Sequence, residues 1–138
     1  MQKQVEVSLQ ELDLLAQALK DEIIKNKVLL LYGEMGSGKT TFISALCKVL
    51  DCKDEVSSPT YGLVNEYRIQ NSKIYHFDLF RLKSKEEVLD IGFEDYLDQN
   101  AICIIEWPQL VEEYIEAGLK IEIEKIGLNR RKFSIFKF

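Results

Sequence analysis

The stretch GEMGSGKTT, Gly33–Thr41, decides how this chain is read. Gly33, four intervening residues, then Gly38, Lys39 and Thr40 follow the pattern G-x-x-x-x-G-K-[ST]. Glycines let the backbone turn so that successive amides point inward at anionic oxygens, and the helix that follows presents its positive end. Glu34, Met35, Gly36 and Ser37 complete the loop and Thr41 continues the helix, so the whole stretch reads as a phosphate cradle. In such a cradle Lys39 reaches the outer phosphates and Thr40 places its hydroxyl on Mg²⁺. At ordinary residue usage the bare pattern arises by chance in roughly one of 200 chains of this length. A dinucleotide reading fares worse, because G-x-G-x-x-G is absent and the Lys-Thr pair would serve nothing there. The ligand expected is a triphosphate.

The flanks agree. VLLLY, Val28–Tyr32, is almost wholly apolar, as a central parallel strand covered on both faces must be. After the loop, KTTFISALCKVL carries Phe42, Ile43, Leu46, Val49 and Leu50 at helical spacing. Upstream, VEV at Val5–Val7 reads as a short strand. Ser8 and Glu11 are then spaced as a capping box before a helix whose Leu9, Leu12, Leu15, Leu19 and Ile23 share one face, ending near Ile24.

Downstream, Pro59 in SSPT makes a stiff connection. YGLVNEYRI and KIYHFDLF then predict an antiparallel hairpin from about Tyr61 to Phe77. A capped helix from Ser84 ends before Gly92, a further short helix covers Phe93 to Leu97, and AICII, Ala101–Ile105, is a second buried strand. EWPQLVEEYI begins as a loop and turns helical after Pro108, and LKIEIEKI with RKFSIFKF closes the chain as a hairpin. The expectation is an α/β fold: one compact P-loop domain over residues 1–138, its mixed, partly parallel sheet flanked by helices and finished by a C-terminal hairpin.

A magnesium-bound triphosphate also needs acids at the mouth of the sheet. Glu106, after four apolar residues, has the Walker B pattern and is the candidate metal carboxylate; Asp78, in IYHFDLF, is the candidate for orienting water. Thr60 lies where an ordered loop approaches a γ-phosphate. Trp107 reads either as a lid over the loop mouth or as a core aromatic. His76 reads either as a packed, satisfied histidine or as part of a switch.

Composition narrows the partners. The 138 residues hold 18 basic and 23 acidic side chains, a net charge of −5, which disfavours a large phosphate-tracking surface for nucleic acid. The one dense basic cluster, NRRK at Asn129–Lys132, reads either as a solvated turn or as a contact for a nucleotide phosphate or a partner, and is too small for a nucleic-acid groove. Cys47, Cys52 and Cys103 include no CxxC pair and are expected to pack as thiols in a reducing compartment. No run approaches the roughly 20 apolar residues of a membrane span and the N-terminus is not of signal type, so the expected location is cytoplasmic.

GEMGSGKTT, SPTYGLVNEY, HFDLFRL, DIGFEDYL and IIEWP, in this order, resemble the bacterial TsaE family, the small ATPases of tRNA threonylcarbamoyladenosine biosynthesis. The resemblance spans Val28–Pro108 and implies ATP and Mg²⁺ as ligands and weak hydrolysis in isolation. It also implies TsaD and TsaB as protein partners, with tRNA met mainly through them. By the same resemblance Lys39, Thr40 and Glu106 match the phosphate lysine, the metal hydroxyl and the metal acid; Thr60 and Asp78 match switch-like residues, and Trp107 the tryptophan of the EW pair. Phe80 stands where the family pattern has tyrosine and Gln109 where it has glutamate. Two other functions were weighed against this one: a small-molecule kinase, which needs an acceptor pocket and an arginine-bearing lid, and a binding module whose hydrolysis is incidental.

Overall fold

The computed structural model describes residues 2–57, 59 and 63–138. Among these the strands form one seven-stranded sheet in the order β1-β7-β6-β2-β5-β4-β3. Its centre is parallel: β2 (Val28–Tyr32) lies between β5 (Ile102–Glu106) and β6 (Leu119–Gly127), and β4 (Ser72–Asp78) lies beyond β5. Both edges are antiparallel. β3 (Val64–Ile69) returns as a hairpin with β4, and β7 (Arg130–Lys137) runs against both β6 and β1 (Gln2–Ser8).

Alternation along the central strands divides the core into two layers. Leu29 and Leu31, Ile102 and Ile104, and Ile74 point to the face covered by α1 (Leu12–Asn26) and α2 (Lys39–Val49). Leu30, Cys103, Ile105, Tyr75 and Phe77 point the other way, beneath α3 (Lys85–Asp90) and α4 (Phe93–Leu97). This two-sided cover is why VLLLY and AICII carry no polar residue. His76, Asp78 and Glu106 fall on the α1/α2 side by the same period of two, and α2 delivers the glycine loop to that side.

The Ser8–Glu11 box forms, with the Ser8 amide donating to Glu11 Oε1 at 2.8 Å, and opens a 3-10 turn that runs into α1. Three boundaries differ from the sequence reading. β1 is seven residues, longer than VEV, because the whole segment pairs with β7. α1 continues to Asn26 and is closed by Lys27, whose φ is 68° and whose amide donates to the Ile23 carbonyl at 2.9 Å. After Pro108 the chain forms two 3-10 turns, Pro108–Leu110 and Glu112–Tyr114, in place of a longer helix. Val111 and Ile115 are buried there, so the short segment is pinned to the core within each turn. Cys47 and Cys103 are buried thiols. Among the described residues no helix is long and apolar enough to cross a membrane.

Candidate active site

The strand-to-helix turn after β2 is shaped by two glycines. A Cβ at Gly33 would lie 2.5 Å from Ser37 Oγ and 2.9 Å from the Ile123 carbonyl, so nothing larger fits. Gly38, the cap of α2, has φ 105°, a conformation that side chains strain. Lys39 and Thr40 therefore open the helix, where first-turn amides have no acceptor within the helix and attract anions.

A cavity of about 340 Å³ lies against this turn. Met35, Gly36, Gly38, Lys39, Thr40 and Thr41 line one side, and Asp78, Glu106 and Trp107 face them. Asp78 and Glu106 reach it because they are the last residues of β4 and β5, paired in register. Lys39 is buried, donates its ammonium to the Gly33 carbonyl, and lies 3.9 Å above the Trp107 ring centroid. Burial pulls its pKa down, and Glu106 and Asp78 oppose that shift. Burial pushes the Asp78 carboxyl up, with Glu106 adding to the rise, while the Phe80 amide, donating to Asp78 Oδ1 at 3.1 Å, opposes it. Trp107 has φ 55°, unusual for a bulky residue, and its ring packs on Phe80 with centroids 4.8 Å apart. Strain of this kind beside a pair of acids is the sort found at functional sites.

These groups suit a magnesium triphosphate. A buried ammonium, a helix start and two carboxylates answer a polyanion and its cation. Mg²⁺ held by one or two carboxylates takes its other oxygens from phosphates and water.

The cavity does not gather every residue expected of it. Glu34 and Ser37, with Gly33, line a neighbouring space of about 560 Å³ between the loop and the β6–β7 hairpin. Ser37 Oγ is buried without a hydrogen-bond partner, so Ser37 serves the loop through its backbone. Thr60 lies outside the described residues.

The sequence left Arg131 open, its cluster reading either as a solvated turn or as a contact for a nucleotide phosphate or a partner. It is buried, lines the cavity, and donates from Nε to the Ser37 carbonyl at 2.7 Å. Its Nη1 reaches the carbonyls of Gly127 (3.2 Å), Leu128 (3.5 Å) and Arg130 (3.0 Å). The available signal was alternation, since Phe133 and Ile135 point inward and Arg131 shares their parity.

Comparison with known proteins places these features in a family. The family model described as "Threonylcarbamoyl adenosine biosynthesis protein TsaE" matches residues 7–133. The chain is 40% identical over 125 residues to the tRNA threonylcarbamoyladenosine biosynthesis protein TsaE of Rickettsia conorii, covering 88% of this chain and 68% of that protein. It is 33% identical over 108 residues to the protein of the same name from Bacillus subtilis, covering 78% of this chain and 67% of that one. The crystal structure of Bacillus subtilis YdiB superposes with a TM-score of 0.69 at 25% identity, covering 98% of this chain and 86% of that one.

Proposed function

Because the chain belongs to the TsaE family, we propose that it binds ATP with Mg²⁺ in the cavity at the start of α2 and hydrolyses it slowly, within the biosynthesis of threonylcarbamoyladenosine in tRNA. The observation that supports this most is the meeting of Lys39 with Asp78 and Glu106 beneath Trp107.

Lys39 would exchange the Gly33 carbonyl and the Trp107 face for phosphate oxygens, a stronger, charge-assisted set of bonds. Thr40 and Glu106 would hold Mg²⁺. When bound, that ion supplies neutralisation of charge on the β- and γ-phosphates. Asp78 would orient the attacking water, whose oxygen bonds to the γ-phosphorus as the bond to the ADP oxygen breaks, leaving ADP, phosphate and a proton. Thr60 would close on the γ-phosphate from the loop after Pro59. Arg68 is occupied by Asp54, with Nη2 at 3.0 Å from Oδ1, so it is no candidate for an arginine finger. Slow turnover in isolation and acceleration by partners would follow.

The partners in this reading are TsaD and TsaB, with ATP binding setting a docking face and hydrolysis releasing it. tRNA would be engaged mainly through that complex, consistent with the net charge of −5. Turnover measured with and without TsaB and TsaD tests the whole. Partner-dependent ATPase coupled to tRNA modification is expected. Phosphate transfer to a small acceptor without partners would mark a kinase, and modification without linked turnover a binding module.

A further inference from the structure

His76 is fully buried on β4, one strand in from the sheet edge, on the α1/α2 face, and both of its ring nitrogens are engaged. Nε2 lies 2.6 Å from Glu106 Oε2, and Nδ1 lies 2.9 Å from the Tyr67 hydroxyl. That hydroxyl lies in turn 2.8 Å from the Ser57 carbonyl. Asn65 Nδ2 donates to the same carbonyl at 2.8 Å. Four residues from three strands and a loop thus stand in one line. Glu106 ends β5, His76 is on β4, Tyr67 is on β3, and Ser57 precedes the Pro59-Thr60 connection.

Proton counting gives the line a direction. A carboxylate that binds a cation can only accept, so Nε2 must carry the hydrogen that faces Glu106. The Tyr67 hydroxyl has one hydrogen and donates it to the Ser57 carbonyl at 2.8 Å, while its oxygen stands 2.9 Å from Nδ1. Each group has a partner, and Tyr67 fixes the orientation of the ring that faces Glu106. Nothing in packing alone requires an imidazole here, since Ile74 and Ile104 on the same face fill equivalent places with carbon.

We propose that His76 is a positioning residue for the metal carboxylate. It holds one oxygen of Glu106 and, through Tyr67, ties that carboxylate to Ser57, so that a change at the metal shell is carried to the Ser57 backbone. This rests on the reading of Glu106 as the magnesium acid. Partners of this kind behind a metal ligand are worth about 10- to 100-fold in metal affinity.

Four variants of the full chain test it: Glu106→Gln, His76→Ala, His76→Gln and Tyr67→Phe. Calorimetry of ATP with Mg²⁺ and with EDTA separates the metal-dependent part of binding from the rest. His76→Ala should lose about 10-fold or more of the metal-dependent part, with ATP affinity in EDTA little changed; its melting temperature should fall, because a fully buried side chain is removed, so binding is compared below the melting range of every variant. His76→Gln, whose amide replaces the Nε2 donor, should recover most of it. Tyr67→Phe removes only the hydroxyl, and should abolish the slowing of Ser57 amide exchange that Mg²⁺-ATP produces in the parent. If Glu106→Gln loses the magnesium dependence and His76→Ala keeps it, the relay is wrong and the metal assignment stands. If Glu106→Gln keeps it, both are wrong. A Tyr67→Phe protein with parental exchange at Ser57 would overturn the link to the loop.

Discussion

Asp78 and Glu106 stand side by side across the β4–β5 ladder, and Lys39, at the first turn of α2, is the cation that faces them both. Three charged groups share a half-closed pocket with a single positive charge among them. Before any ligand arrives this is a costly arrangement, and the cost can be measured.

Asp78 bears most of it. Burial and the neighbouring Glu106 raise its pKa above the ordinary 3.8. A carboxyl raised on folding stabilises the fold fully below the unfolded value and loses that contribution as pH climbs through the folded one. At neutral pH the ionised Asp78 therefore works against folding. Asp78→Asn, which can still accept from the Phe80 amide, should melt a few degrees higher than the parent at pH 7 without nucleotide, and the gain should shrink toward zero as pH falls to about 4. The same variant should bind ATP yet lose partner-dependent turnover. A melting difference independent of pH would contradict this account.

Trp107 is the single tryptophan of the chain, with the Lys39 ammonium 3.9 Å above its ring. Drawing the ammonium onto phosphate removes a cation from the indole, so Mg²⁺-ATP should alter the intrinsic fluorescence in proportion to binding. Lys39→Met keeps apolar bulk over the ring but should abolish the response. It should also weaken ATP binding about 100-fold, the worth of roughly two charge-assisted hydrogen bonds. Parental affinity in that variant would remove Lys39 from the site.

Arg131 joins the phosphate loop to the β6–β7 hairpin through the carbonyls of Ser37, Gly127, Leu128 and Arg130. Arg131→Ala leaves the buried Ser37 carbonyl unserved and unties the hairpin from the loop, and should cost about 1–3 kcal/mol in urea unfolding. Arg131→Lys should recover little, because an ammonium cannot serve the two ends of a planar fork at once. If lysine restores the parental urea midpoint, the guanidinium geometry is not what matters.

Gly33→Ala would place a methyl 2.5 Å from Ser37 Oγ and 2.9 Å from the Ile123 carbonyl. The serine can turn, but the carbonyl belongs to β6 and cannot. The expected loss is about 1–3 kcal/mol with weakened ATP binding. Gly36→Ala, with no atom within 4 Å of the added carbon, supplies the comparison for backbone strain alone. Equal losses in the two variants would refute the steric account.

Much of this was legible before the structure. VLLLY, AICII and the glycine loop carry their environment in their composition, since a strand covered on both faces tolerates such runs and a tight strand-to-helix turn needs such glycines. The acids Asp78 and Glu106 were legible because they interrupt or end apolar runs. What could not be read depends on pairing between distant segments. The His76–Glu106 bond spans 30 residues of sequence and exists because β4 and β5 are parallel neighbours. The sequence left Arg131 open because its neighbours are charged, whereas its strand parity buries it. The 3-10 turns after Pro108 follow from Val111 and Ile115 seeking the core, a tertiary effect that local propensity does not carry.

The left-handed backbone at Trp107 has one more result. A large aromatic residue there gains nothing from its own peptide geometry, so the indole is kept in place by what it leans on: the Phe80 ring beneath and the Lys39 ammonium above. A ligand that claims the ammonium takes away one of those two props. Trp107 directly follows Glu106 in the chain, so any movement of the indole is passed through one peptide bond to the carboxylate at the end of β5.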